Sequence, residues 1–314
     1  MRMQWLAVAF IAPILWAIVS VIDNYFVEDI YEDEFDGILI SAFFQLLPWL
    51  FVALGIVNLS IVWPAVPWAI GSGFLFLASL FFYFRGLFRV NDSALMQILW
   101  SLSVPIVPFL AWILLREQLK LLHYLGMMIA FLGVLLFNFD IQKGAKERLA
   151  KVAFSMTWAV VFMASSMVFG RKAFVLSDSL ETNFLFFCAG AVLILILSPL
   201  FDSKKPLKRL SRIWILTKKY YPIFIVAESL SVIATLFSQW ATKIAPAVSF
   251  IALIESLVPV FVVVLSLMLV VLVRFRKNDA LQRIYQEQLT HMGVKVVATI
   301  IIAIGIFSVA STST

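Results

Sequence analysis

The chain has 314 residues, of which 63% are hydrophobic and only 13% charged, with a mean hydropathy of +1.03. Soluble domains run at about 45–50% apolar and about 25% charged, so the composition excludes a soluble globular protein and predicts an integral membrane one. The formal net charge of +6 calls for no nucleic-acid partner, because the basic residues sit mostly in loops beside apolar runs, where lipid headgroups account for them.

A membrane-spanning helix needs about 20 mainly apolar residues. Ten such runs follow one another near 5–26, 38–57, 64–88, 93–115, 119–138, 151–169, 182–201, 220–242, 246–273 and 291–310. They do not alternate as the strands of a membrane β-barrel do. The expected class is therefore an all-α membrane protein with ten transmembrane helices, and the chain left over is too short for a separate soluble domain. Met1–Phe26 is long enough to span, and no small-residue cleavage site follows its apolar run, so it is expected to be retained. The single Cys188 falls within a span and allows no disulfide within one chain.

The first span carries Pro13, Trp16 and, near its end, Asp23 and Asn24. The loop after it, Glu28–Asp36, holds six acids and no Lys or Arg, and reads as a solvated loop. The second span contains Gln45 and Pro48, and the third runs through Gly71-Ser72-Gly73 to Tyr83 and Arg85. Asn91-Asp92-Ser93 is an N-cap for the fourth, whose core is Leu95–Leu110 with Gln97, Trp100, Ser101 and Pro105. In the fifth, Gly126 and Gly133 share nearly one helix face, where small residues let two helices approach closely. A mixed-charge linker occupies 139–150. Ser203–Lys219 interleaves seven Lys/Arg with Leu, Ile and Trp, the pattern of an amphipathic helix on anionic headgroups. The eighth span carries Glu228, Gln239 and Lys243, and the ninth contains Ser249–Val264 with Glu255 and Pro259. Arg274–Gln286 is a further helical stretch before the last span, which holds Lys295 near its start.

The chain repeats itself. Pro105 aligns with Pro259 at an offset of 259 − 105 = 154, Trp16-Ala17 echoes Trp158-Ala159 at 142, and Glu117-Gln118-Leu119 echoes Glu287-Gln288-Leu289 at 170. The halves are 1–138 and 151–314, with five spans in each. An odd number sends the second half into the membrane in the opposite direction, giving two inverted five-helix repeats, an arrangement common in secondary transporters.

The ordered set of Trp16-Ala17 and Trp158-Ala159, Ala94 to Pro105 and Val248 to Pro259, and Glu117-x-Leu119 with Gly126, Gly133 and then Glu287-x-Leu289-Thr290 resembles the drug/metabolite transporter superfamily, in particular its EamA-type ten-helix carriers. The resemblance covers nearly the whole chain, with Arg274–Gln286 as an insertion. It implies a secondary carrier, usually an exporter or exchanger of small metabolites, with a central cavity lined by both halves.

Charges inside hydrocarbon are costly unless paired or facing water, so they mark function by default. Glu228 lies eight residues into its span and Glu255 nine residues past Pro246. At 1.5 Å per residue both lie about 12–14 Å deep. Burial favours the neutral form of a carboxyl, which suits reversible protonation. At the offset of 154 their counterparts are Phe74 and Ser101, so the acids are not shared by the halves. Further substrate- or proton-binding candidates are Gln97, Trp100, Ser101, Gln239, Trp16, Trp158, Tyr83 and Gln45. The aromatic residues among them are a possible box for a cation, and each is also an ordinary packing residue. Pro105 and Pro259 are candidate kinks or hinges. Asp23, Arg85 and Lys243 sit near span ends, where snorkelling accounts for them. Glu117 reads as structural, capping or pairing with Arg116 or Lys120.

His123 and His291 show no metal-ligand spacing, and no catalytic constellation, phosphate loop or Cys/His cluster is present, so neither enzyme activity, cofactor nor metal is expected. The expected function is alternating-access transport of a small polar or cationic metabolite, with protons as a possible coupling ion and membrane lipids as surroundings. A flippase-like carrier of lipid-linked headgroups and a non-transporting scaffold or sensor are the alternatives. The expected location is the cell (inner) membrane of a bacterium or archaeon. Loop Lys/Arg number six on the side of the termini and seventeen on the other, which places the termini outside. The family resemblance implies termini in the cytoplasm.

Overall fold

The computed structural model describes residues 4–90, 93–137, 145–201, 206–273 and 292–312, and among these the only regular elements are α-helices. In chain order they are α1 (Gln4–Asp29), α2 (Glu34–Phe44), α3 (Leu47–Ala53), α4 (Val66–Val90), α5 (Ser93–Trp100), α6 (Ser103–Leu115), α7 (Leu121–Phe137), α8 (Ala145–Leu176), α9 (Leu180–Phe201), α10 (Pro206–Lys219), α11 (Tyr221–Ile244), α12 (Val248–Glu255), α13 (Val258–Val273) and α14 (Met292–Thr312). An apolar chain in hydrocarbon has no water to satisfy its N–H and C=O groups, so it must pair them within each segment, and the helix does so.

Among the described residues nine segments are long and apolar enough to cross a membrane. They are Gln4–Asp29, Glu34–Ala53, Val66–Val90, Leu95–Leu115, Glu147–Leu176, Leu180–Leu197, Tyr221–Ile244, Val248–Leu265 and Gly293–Ser311. The chain is an all-α integral membrane protein. The expected fifth span, 119–138, is the shorter apolar helix α7, with 17 residues. The expected linker divides. Residues 138–144 lie outside the described residues, whereas 145–150 form the first turns of α8, since Ala145, Lys146, Glu147, Arg148 and Leu149 are good helix formers. Arg274–Gln286, the Glu287 echo and His291 also lie outside the described residues.

Three of the spanning segments are broken, between α2 and α3, α5 and α6, and α12 and α13. A proline follows each break: Pro48 and Pro259 are the second residues of α3 and α13, and Pro105 is the third of α6. Proline lacks an N–H, which the first turn of a helix does not need. The fractures therefore lie at Ser101-Leu102 and Ser256-Leu257, not at Pro105 and Pro259 themselves. At each fracture a serine hydroxyl donates to the carbonyl three residues back, Ser101 to Ile98 and Ser256 to Leu253, both at 2.6 Å.

Packing places α4 against α8 and α9, α1 against α11 and α13, α6 against α8, and α7 against α14. Two of these contacts require glycine. A Cβ on Gly190 of α9 would stand 1.9 Å from the Ile70 carbonyl of α4, and one on Gly305 of α14 would stand 2.5 Å from the Gly126 carbonyl of α7. The backbones touch there, as the small-residue spacing of α7 leads one to expect. The main core joins α1, α2, α4, α8, α9, α11 and α12 through residues such as Phe26, Leu77, Met156, Phe187, Phe224 and Phe250. A smaller cluster joins α7, α13 and α14.

Candidate functional site

A cavity of about 70 Å³ lies within the bundle, with walls from α1, α2, α4, α5, α8, α11, α12 and α13. The α1 stripe Trp16, Val19, Ser20 and Asp23 recurs every three to four residues, so one helix face points inward. From α4 come Phe76, Leu80, Tyr83 and Phe84, and from α5 Gln97 and Trp100. Ser41, Met163, Ser231 and Val258 complete the wall around Glu228 of α11 and Glu255, the last residue of α12. None of the lining residues is Lys, Arg or His, so three carboxyl groups share the cavity with no basic side chain on its wall.

The polar groups form small sets. Ser41 Oγ donates to Glu228 Oε1 at 2.9 Å, and Ser238 Oγ donates to Glu255 Oε1 at 2.5 Å. The Oε2 atoms of both glutamates are buried and have no hydrogen-bond partner among the described residues. Gln97 Nε2 donates to Ser20 Oγ at 3.2 Å and to Tyr83 OH at 3.3 Å. Tyr83 meets Trp100 edge to face, 5.2 Å between ring centroids. A small neighbouring cavity of about 10 Å³ shares Trp16, Phe76 and Met163 with the first and continues past Thr235, Ser238 and Gln239 to Thr242. That is room for roughly one water molecule.

Packed groups flank this path on two sides. At one end Phe26, Tyr31, Phe84 and Phe224 pack ring on ring, with centroids 4.8 Å apart for Phe26 and Phe224 and 6.1 Å for Tyr31 and Phe84. Burial pushes the Tyr31 phenol well above its usual range, and the nearby charges of Glu228, Asp23 and Asp36 push it further, so this ring stays neutral. Outside the rings, α10 grips the acidic loop. Arg209 donates to Asp33 at 2.5 and 2.9 Å and to Asp36 at 3.3 Å, and Arg212 pairs with Asp36 and Glu32. Asp36 is fully buried, and Asp33 also caps α2 by accepting from the Phe35 N–H at 3.0 Å. The acidic loop is thus an anchored latch in place of the expected solvated loop, because the amphipathic helix presents its arginines to it.

At the other end Glu117 accepts from the Val248 N–H at 3.4 Å and pairs with Arg171 at 3.7 Å. Arg171 in turn donates to the Thr242 and Lys243 carbonyls at 2.7 and 3.0 Å. This clamp joins the loop before α7 to α8 and to the α11–α12 turn, so the partners of Glu117 are Arg171 and Val248, not Arg116 or Lys120. Burial pushes the Glu117 carboxyl above its ordinary range, against the pull of the Val248 N–H and the Arg171 charge.

Of the candidates from sequence, Glu255, Glu228, Gln97, Trp100, Trp16 and Tyr83 line the cavity, and Gln239 lines its small neighbour. Three lie elsewhere. Trp158 is 41% exposed against Phe154 and Phe162, on a face of α8 turned away from the cavity. Gln45 is buried at the α2–α3 break, where its Oε1 accepts from Cys188 Sγ at 3.3 Å. Ser101 spends its hydroxyl on the Ile98 carbonyl. By helix position the counterpart of Glu255 is Trp100, since each ends the half-helix before a fracture, and Ser101 matches Ser256. Sequence reasoning missed Asp23, Ser20, Ser41 and Ser231. Asp23 looked terminal because the apolar run ends at Phe26, yet α1 continues to Asp29, and the 16-19-20-23 spacing is the signal that places it with Trp16.

No family model and no curated protein matches the chain. Among solved structures 27 chains match, and one crystal structure aligns over 100% of this chain and 99% of its own, at 19% identity and a TM-score of 0.59. At that identity the likeness speaks for the fold alone.

Proposed function

We propose that the protein is a secondary transporter that carries a small cationic metabolite across the membrane by alternating access, exchanging it against protons. One observation carries this reading: a cavity within a bundle of apolar helices, with three carboxyl groups, aromatic walls and no basic lining residue. A carboxyl in such a site either holds a proton or pairs with the cation, so that binding of one releases the other. Trp16 and Trp100 on the wall supply aromatic rings of the kind that attract a cation.

The frame proposed for this motion is ten spans in two inverted repeats of the EamA type. The pattern of contacts supports it, because contacts come in exchanged pairs. With 1–138 matched to 151–314, α4 on α8 corresponds to α11 on α1, and α6 on α8 corresponds to α13 on α1. The fractures of α5–α6 and α12–α13 supply a second matched pair. The ring cluster and the Glu117–Arg171 clamp fit the role of gates that close and open in turn.

The test is uptake by proteoliposomes of a panel of small organic cations under an imposed pH gradient. Uptake that collapses when the gradient is removed, and in E228Q and E255Q, is the expected result. Unchanged uptake in both variants would remove the proton role. Lipid movement with no flux of soluble cation would replace this reading with the flippase one.

A further inference from the structure

We propose that the cavity takes a linear diamine, an organic molecule with an ammonium group at each end and an apolar chain between. The inference rests on reading the cavity as a substrate site and deepens it.

The carboxyl groups form two poles. Asp23 and Glu228 lie on the side of the aromatic rings: Asp23 is three residues before Phe26 on α1, Glu228 four residues after Phe224 on α11, and those two rings pack 4.8 Å apart. Glu255 is held at the other pole by Ser238, a residue of the adjoining small cavity. Both Glu228 and Ser238 belong to α11, 238 − 228 = 10 residues apart. At 1.5 Å per residue that is about 15 Å along the helix. The side chains reach into the cavity from these two backbone positions, and allowing about 3 Å for each ammonium–carboxylate bond the span available to the two nitrogens is on the order of 9 Å. That distance suits a short unbranched alkyl chain.

The remaining chemistry agrees. Glu228 is 5% and Glu255 7% exposed, both line the cavity, and each keeps one buried oxygen with no hydrogen-bond partner among the described residues. Phe76, Trp16 and Trp100 form apolar walls for the alkyl chain. A monoamine would pair with one pole and leave the other carboxyl protonated and neutral, so it would gain one charge-assisted contact where a diamine gains two. An anion or a zwitterion would bring a negative group against one of the poles.

Calorimetric titration of the purified full chain tests this with two series, linear α,ω-diamines of about three to eight carbons and the monoamines of the same lengths. Affinity is expected to peak at an intermediate diamine length and to exceed that of the matching monoamine by about tenfold or more, the scale of one charge-assisted hydrogen bond. In E255Q the diamine advantage is expected to vanish. If E255Q does not fold, the length series on the unaltered protein decides alone. Monoamines that bind as well as diamines at every length, or affinity that climbs steadily with chain length, would overturn the two-pole assignment. Monoamine uptake in that case would leave the transporter reading standing. Diamine binding with the expected length optimum but no flux would uphold the site and overturn transport.

Discussion

Asp23, Glu228 and Glu255 are the residues on which the account turns. Each sits in a segment where a charge is expensive, and none is balanced by a basic side chain on the cavity wall. Groups kept for stability alone would be paired. Replacing Glu228 or Glu255 by Gln is therefore expected to lower cation affinity by about tenfold or more while leaving the melting temperature unchanged or raised, since Gln matches the protonated carboxyl in size and is never charged. Titration and thermal unfolding of the same preparations check this together, and a large fall in melting temperature would make these acids structural. The sequence announced Glu228 and Glu255 because a carboxyl deep in an apolar run stands out. It concealed Asp23, whose local composition resembles a span end, and it overstated Trp158, since a tryptophan suits a lipid face as well as a cavity wall. Only the facing helices decide which side a ring takes.

At the scale of elements, the latch between α10 and the acidic loop is the least expected feature. Arg209 is 7% exposed and Asp36 fully buried, so removing Arg209 takes one of two arginines from a buried carboxylate and breaks the two-bond pair with Asp33. Arg209→Ala is expected to destabilise the protein by about 3–5 kcal/mol. The double variant with Asp36→Ala should lose less than the two single losses added, a coupling that a double-mutant cycle reads directly. Both charge runs were visible in the sequence as separate features, but their meeting across 176 residues was not, because no local pattern encodes it. Close backbone contact gives a second expectation. Gly190→Leu would drive a side chain into the Ile70 carbonyl of α4 and should lower stability by about 1–3 kcal/mol or more, measured as a fall in melting temperature. The glycines of α7 were legible from their seven-residue spacing. The fractures of α5–α6 and α12–α13 were legible only as prolines, because proline marks the first turn after a break and not the break itself.

For the whole molecule, hydropathy sufficed to read the helical class, since the bilayer admits few alternatives. What joins the helices was less legible, because apolar faces toward lipid and toward protein have the same composition. The loop charges and the family resemblance imply opposite orientations, and the charge count is the basis of the expectation here. Arg209 and Arg212 are engaged by the acidic loop, and the remaining basic residues of that side still outnumber those beside the termini. A reporter fused to the C-terminus is expected to report the outer face.

The central claim is that the acidic cavity is reached from each side of the membrane in turn. Ser231 lines that cavity, and the only native cysteine, Cys188, is buried. With Cys188 replaced by Ala, a Ser231→Cys protein can be challenged with a membrane-impermeant thiol reagent in right-side-out and in inverted vesicles. The account predicts labelling from both sides, with a bound organic cation slowing it from each. Labelling from one side only, under every gradient and with every cation, would contradict it.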